Sequence, residues 1–179
     1  MSTGQRLRLV KDDIARIERF LPVMKRVLMM LRAELRLYRE RVGELELARD
    51  ALERQWRAIE CTELAATIDG SIDVELRTSV ENLVGVDIDV VNSLVGHCKL
   101  SPVLLYQSAS FTAIVDLACE RSQLAEHLRL EQRNISRLEE AEEEFVFLIN
   151  GSEQVRLPPL RNELARLARE MDEENAMAA

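Results

Sequence analysis

Positions 7, 10, 14, 17, 21, 24, 28, 31, 35, 38, 42, 45, 49, 52, 56 and 59 form a ladder through the first third of the chain. They carry Leu7, Val10, Ile14, Ile17, Leu21, Met24, Leu28, Leu31, Leu35, Tyr38, Val42, Leu45, Arg49, Leu52, Trp56 and Ile59, and only Arg49 is polar. Alternating steps of three and four are the heptad period and lay an apolar seam along one side of a helix. At 1.5 Å per residue such a helix is roughly 80 Å long. A compact domain of 179 residues has no need of a rod that long. The expected fold is therefore mainly α and organised around a shaft.

The composition agrees with that expectation. Aromatic residues make up 4% and charged residues 31% of the chain, a balance typical of long-helix proteins. The net charge is -8 and no basic face dominates, which argues against nucleic acid as a partner. No apolar stretch reaches membrane-spanning length, and the N-terminus lacks the apolar core of a signal peptide. A cytoplasmic protein with no direct membrane span is expected. Cys61, Cys98 and Cys119 match neither a zinc spacing nor a redox pair, so three reduced thiols are expected.

Three segments follow one another. Residues 1–66 hold the N-terminal coiled-coil helix. Pro22 is its one helix breaker, but the ladder keeps its phase across Pro22, which favours a continuous, kinked or bent rod. Gly43 weakens the helix by about 1 kcal/mol without ending it. Residues 67–107 change period. After the turn signal Asp69-Gly70, Ile72, Val74 and Leu76 alternate with charged residues, as do Val86, Ile88 and Val90. Two short strands in a hairpin are expected, with Glu81, Asn82 and Gly85 between them and a loop at Ser101-Pro102. Residues 108–179 return to helix, capped by Ser108 or Ser110, and carry a weaker seam through Ile114, Leu117, Leu124, Leu128, Ile135, Leu138, Phe145 and Ile149. Arg121, Glu131 and Glu142 also occupy that seam. Asn150-Gly151 and Pro158-Pro159 are expected to interrupt it before Leu160, Leu164, Leu167 and Met171 resume helical spacing. The whole reads as a long antiparallel two-helix coiled coil with a small central head of β-hairpin and short helix, one structural unit.

The chain offers little chemistry. It has no phosphate-binding Gly-x-x-x-x-Gly-Lys-Ser/Thr loop. His97 beside Cys98 suggests a thiolate–imidazole pair, but neighbours in a loop seldom point together and no further ligands stand at a familiar spacing. His127 reads as a solvated side chain. Glu139, Glu140, Glu142, Glu143 and Glu144 spread around a helix and read as a solvated face rather than a cation site. Met29-Met30 reads as packing. Arg49 either sets helix register or snorkels to solvent. No catalytic, cofactor-binding or metal-binding residue is expected, and a mechanical or connective role follows.

Three stretches carry a family resemblance. Phe20-Leu21-Pro22, with Lys25-Arg26 and a Leu-rich helix behind it, is similar to a Leu-Pro-x-Leu-x-x-Lys-Lys start. Glu81-Asn82-Leu83-Val84-Gly85-Val86-Asp87-Ile88 resembles an Asn-Ile-Ala-Gly-Val-Asp-Ile-Pro segment. Ile149-Asn150, Glu153, Val155 and Leu157-Pro158 fall at the spacing of an Arg-Val-Asn-x-x-Glu-x-Val-x-Ile-Pro motif. In this order they resemble the D-subunit family of the V-type (vacuolar/archaeal-type) ATPases, in its bacterial form, over most of the chain. Leu148 stands where that family has Arg, Asp89 where it has Pro, Gly151 interrupts the helical stretch, and the tail is the acidic Met171-Asp172-Glu173-Glu174.

The resemblance implies a non-catalytic central-stalk rotor subunit. Its partners would be the catalytic A and B subunits of the hexamer, other stalk subunits and the subunit linking to the membrane ring. It would couple ATP hydrolysis or synthesis to proton or sodium transport. Two alternatives remain from the residues themselves: a coiled-coil stalk protein of a flagellar or type III export ATPase, and a free-standing coiled-coil scaffold.

Overall fold

The computed structural model describes residues 2–59, 67–68, 70–99 and 109–178. The elements are α1 (Thr3–Arg57), β1 (Ile72–Leu83), β2 (Val86–Cys98), α2 (Ala109–Asn150), a π-helical turn (Gly151–Arg156) and α3 (Leu157–Ala178). The chain is mainly helical, with a small two-stranded antiparallel sheet.

α1 runs for 55 residues with Pro22 inside it. Its start is a reciprocal capping box: the Gln5 N–H donates to Ser2 Oγ (3.3 Å) and the Ser2 N–H to Gln5 Oε1 (3.2 Å). Its last turn carries Arg54 and Arg57 against the negative end of the helix dipole. No ladder position from Leu7 to Ile59 is exposed, and that burial offsets the hydrogen bond Pro22 gives up, a defect of about 3 kcal/mol. Two expectations on the helices need correction, and one open alternative is decided. Met29 and Met30 are both exposed and do not pack. Of the two readings of Arg49, its side chain takes the one toward solvent, with its guanidinium on the adjacent, exposed Asp50 at 2.9 Å. Ser110 lies inside α2, past the position of a cap, while Ser108 is outside the described residues.

The chain divides into two compact units. Unit 1 comprises residues 1–33 and 140–179. Its core joins Leu7, Val10, Ile14, Leu21 and Leu28 of α1 to Ile149, Leu157 and Leu167 of the returning segment. Cross-helix pairs run in opposite directions along the two segments. Thr3 Oγ1 donates to Glu174 (2.8 Å), Arg161 meets Glu18 (2.7 Å), Lys25 meets Glu153 (2.6 Å) and Arg32 meets Glu142 (2.7 Å). These pairs are solvent-exposed and contribute about 0–1 kcal/mol each, enough to favour one alignment but not to hold it.

The expected break at Asn150-Gly151 and Pro158-Pro159 does not occur. Helix continues through Gly151–Arg156 in π geometry, and the Leu157 N–H donates to the Ser152 carbonyl, five residues back. The reason lies in the seam spacing. The buried positions advance from Ile149 to Leu157, one residue more than a heptad, before Leu160, Leu164, Leu167 and Met171 resume it. The wider turn absorbs the extra residue and keeps all of them on the buried side. Pro158 and Pro159 follow directly on the wider turn and, lacking N–H groups, donate nothing back to it.

Unit 2 comprises residues 34–139. Trp56, Ile68, Phe111, Val115 and Ala118 form one core, with Ile72, Cys98 and Cys119 packed against it. The hairpin is longer than the sequence pattern suggested. β1 and β2 pair from Ile72↔Cys98 to Leu83↔Val86, closed by the two-residue turn Val84-Gly85. Both turn residues have positive φ, 54° and 89°, the backbone twist a two-residue hairpin favours. Asn82 reinforces the turn, accepting from the Gly85 N–H (3.0 Å) and donating to Asp87 (2.8 Å). Asn92 is bulged out where Arg77↔Ser93 gives way to Thr78↔Val91. The bulge changes which face of β2 is covered: Leu94, Gly96 and Cys98 on one side of it, Val86, Ile88 and Val90 on the other. The loop expected at Ser101-Pro102 lies outside the described residues.

Candidate interaction surfaces

In unit 2, the polar seam residues of α2 each find a partner. Arg121 stacks over the Trp56 ring (4.6 Å to the centroid) and pairs with Glu53 (3.4 Å). Glu131 is buried, with one carboxylate oxygen 3.5 Å from His127 Nε2 and the other without a hydrogen-bond partner. His127 is thus half-buried and paired, not simply solvated. Across from this pair, burial lifts the Tyr38 hydroxyl above the ordinary tyrosine range. The Arg41 guanidinium 4.1 Å over its ring pulls it back, and Glu131 adds to the rise.

α2 also carries a second face, turned to the hairpin. At the base, Gly96 lies so close to α2 that a Cβ there would stand 3.1 Å from the Cys119 Cβ. Further along, the buried Asn134 side chain accepts from the Asp89 N–H (3.0 Å) and donates to the Asp89 carbonyl (2.8 Å). Arg137 adds a hydrogen bond to the Asp87 carbonyl and a 3.1 Å pair with the Asp89 carboxylate. Cys119, Gln123, Leu130, Asn134 and Arg137 are spaced by four, seven, four and three. That second heptad stripe was available in the sequence, but its polar members hid it beside the apolar seam.

His97 is not in a loop. It sits near the end of β2, exposed, while its neighbour Cys98 is half-buried on the opposite face. Cys119 is half-buried too, and burial together with Cys98 and Asp116 pushes its thiol up, away from reactivity. Both thiols are free; Cys61 lies outside the described residues. Among the described residues no three His, Cys, Asp or Glu side chains converge as a metal site. The acidic run divides: Glu139 and Glu142 pair with Arg39 and Arg32, while Glu140, Glu143 and Glu144 are not so engaged, and Glu143 and Glu144 are exposed.

Unit 1 presents an open apolar surface. A groove of about 550 Å³ lies beside the π-helical turn, with Ile17, Phe20, Met24, Leu148, Val155 and Leu160 in its walls. Asp13, Arg16 and Arg156 stand at its rim. Phe20, Val23, Phe147, Leu148 and Val155 are all more than half exposed. Side chains of this size left in water mark a contact surface when they are contiguous.

No helix among the described residues is long and apolar enough to cross a membrane. No protein-family model matches the chain, and no curated protein matches it.

Proposed function

We propose that the chain is the central-stalk rotor subunit of a V-type ATPase, a member of the D-subunit family in its bacterial form. On this reading α1 and the returning α2–α3 segment pair as an antiparallel coiled coil inside the hexamer of catalytic A and B subunits. The hairpin forms a head beside them. ATP turnover in the hexamer rotates the shaft, which passes rotation through a linking subunit to the membrane ring and moves protons or sodium. Driven in reverse, the same parts support ATP synthesis. The protein itself catalyses nothing and lies on the cytoplasmic side, peripheral to the membrane.

One observation carries the reading: α1 is a single 55-residue helix whose heptad ladder is covered throughout. A helix this long with one covered seam and a charged remainder suits torque transmission, where stiffness and unequal faces matter and a cavity does not. Any bias toward successive states of the surrounding subunits must come from contacts that differ between those states. The long β1–β2 hairpin weighs against an export-ATPase stalk, which would lack it. The departure at Asp89 also has a local reason, since proline there would remove the N–H that Asn134 accepts.

The test is co-expression with the A and B subunits encoded nearest to this gene, followed by single-molecule rotation of a probe attached to the hairpin. ATP-driven rotation of the chain within a stoichiometric complex is expected. A stable homodimer that ignores the hexamer, or ATP turnover by the isolated chain, would overturn the proposal.

A further inference from the structure

The groove of unit 1 continues as a stripe along α1. Phe20, Val23, Val27 and Met30 follow at steps of three, four and three. Each stands one residue before a ladder position, so this is a second seam rotated by roughly 100° from the buried one. Unlike the ladder, it is largely open: Phe20, Val23 and Met30 are 56%, 56% and 51% exposed, with Val27 between them half-buried. A stripe with this period is the imprint of a further helix, because a helix presents its own side chains at the same spacing.

Charge identifies the occupant. Along the edge of the stripe away from the ladder lie Arg8, Arg19 and Arg26, with Asp12 the one acid among them. None of these arginines has an ion pair among the described residues. At the groove rim Arg156 is also without one, and Arg16 meets only the exposed Asp13 at 3.9 Å. Of the other basic side chains of this part of α1, Arg6, Lys25 and Arg32 already pair with Glu163, Glu153 and Glu142, and Lys11 alone stands off the stripe without an ion pair among the described residues. Most of the unpaired positive charge here therefore lines the border of the open apolar seam, in a chain whose net charge is -8. The π-helical turn supports the same surface. By taking up the extra residue it holds Leu157 inward and leaves Leu148 and Val155 in the wall of the groove, and π turns recur at functional sites.

We infer that this face binds an amphipathic helix of a partner protein, apolar along the contact and acidic along the edge that faces Arg19 and Arg26. The apolar seam supplies the contact area and the arginines set orientation and exclude basic helices. Glu143 and Glu144, exposed one turn before Phe147 and Leu148, oppose an acidic residue at the far edge. The helix is therefore acidic on one flank only. Nothing in this inference requires that the chain be a rotor, and the partner helix need not come from an ATPase.

The probe is a fluorescein-labelled synthetic helix of about three heptads with Leu at the contact positions and Glu along one flank. It is titrated with the full chain and followed by fluorescence anisotropy. Saturable binding is expected, weakening at least about tenfold between roughly 50 mM and 300 mM salt. The same helix with Lys for Glu should not bind. The double variant Arg19→Glu/Arg26→Glu, exposed and outside the core, should lose binding by about tenfold or more with an unchanged melting temperature. Val23→Ser should weaken it at unchanged fold. Equal binding of the acidic and basic helices, or indifference to the arginine reversals, would overturn the inference. So would sedimentation showing that a second copy of the chain covers the seam. Failure of the chain to join an A and B hexamer would sink the rotor reading and leave this one standing.

Discussion

Asn134 on α2 holds the backbone of Asp89 on β2 with both ends of its amide, accepting from the N–H at 3.0 Å and donating to the carbonyl at 2.8 Å. The side chain replaces the partner strand that this edge of β2 lacks. Asn134 is 1% exposed, so no water would take over either bond if it were removed. Asn134→Ala should destabilise the chain by about 2–4 kcal/mol, from two unsatisfied backbone groups and a small cavity. Asp89→Pro should cost a similar amount by removing the donor. The two changes act on one interaction, so the double variant should cost much less than their sum. Chemical denaturation of the four proteins measures this; strict additivity would show that the pair is not coupled.

The turn offers a gain instead of a loss. Val84 has φ 54°, a conformation that crowds a β-branched side chain. Asparagine tolerates it and, before Gly85, makes the Asn-Gly pair that two-residue hairpins prefer. Val84→Asn should therefore stabilise by about 1 kcal/mol. A lower melting temperature would mean that Val84 makes a contact worth more than its strain.

Much of this fold is legible in the sequence, and the unread parts share a cause. The ladder predicts the covered face of α1 at every rung, because one covered stripe on a helix gives an unmixed period. The hairpin is recognisable from Ile72–Leu76 and Val86–Val90, but its length is not. Beyond those residues the exposed, polar Asn92 interrupts β2, and the covered positions of β1 shift from Ile72, Val74 and Leu76 to Ser79 and Leu83, so the apolar alternation is lost. The seam of the last third is obscured twice. Arg121, Glu131 and Glu142 stand where apolar residues are expected; Arg121 and Glu142 find partners on α1 that only the folded chain brings near, and Glu131 meets His127 one turn back on its own helix. The π turn then inserts one residue, so the phase slips where Gly151 and two prolines already suggest a break. The open seam through Phe20 and Met30 was masked by its neighbour, since an exposed apolar residue looks like any other until burial separates the two stripes.

Tyr38 gives unit 2 an alkaline limb. Burial raises its hydroxyl above the usual range, with Arg41 opposing and Glu131 assisting. A group whose folded value is raised contributes stability that is fully present below its unfolded value. That contribution is lost as pH rises through the folded value. The loss should therefore begin above about pH 10, the ordinary tyrosine value. Tyr38→Phe should flatten the fall in stability above about pH 10 while leaving neutral-pH stability nearly unchanged. An equally steep fall in the variant would place the alkaline sensitivity elsewhere.

Leu35 and Leu37 separate the ladder from the rest of α1. Leu35 is 1% exposed and Leu37 is 51% exposed, two residues along the same helix. Leu35→Ala should cost about 2–5 kcal/mol, the transfer term plus whatever cavity the neighbours fail to fill. Leu35→Asp should cost more, because the carboxylate must be desolvated without a partner. Leu37→Asp removes the same side chain and adds the same charge at an open position, so its effect should stay within about 0.5 kcal/mol. If both aspartates shift the denaturation midpoint equally, the ladder is not the core of α1. In an assembled ATPase the same comparison tests the rotor proposal: Leu35→Asp should reduce ion transport per ATP hydrolysed, and coupling that matches the unmodified complex despite loosened helix pairing would mean that torque does not pass through this seam.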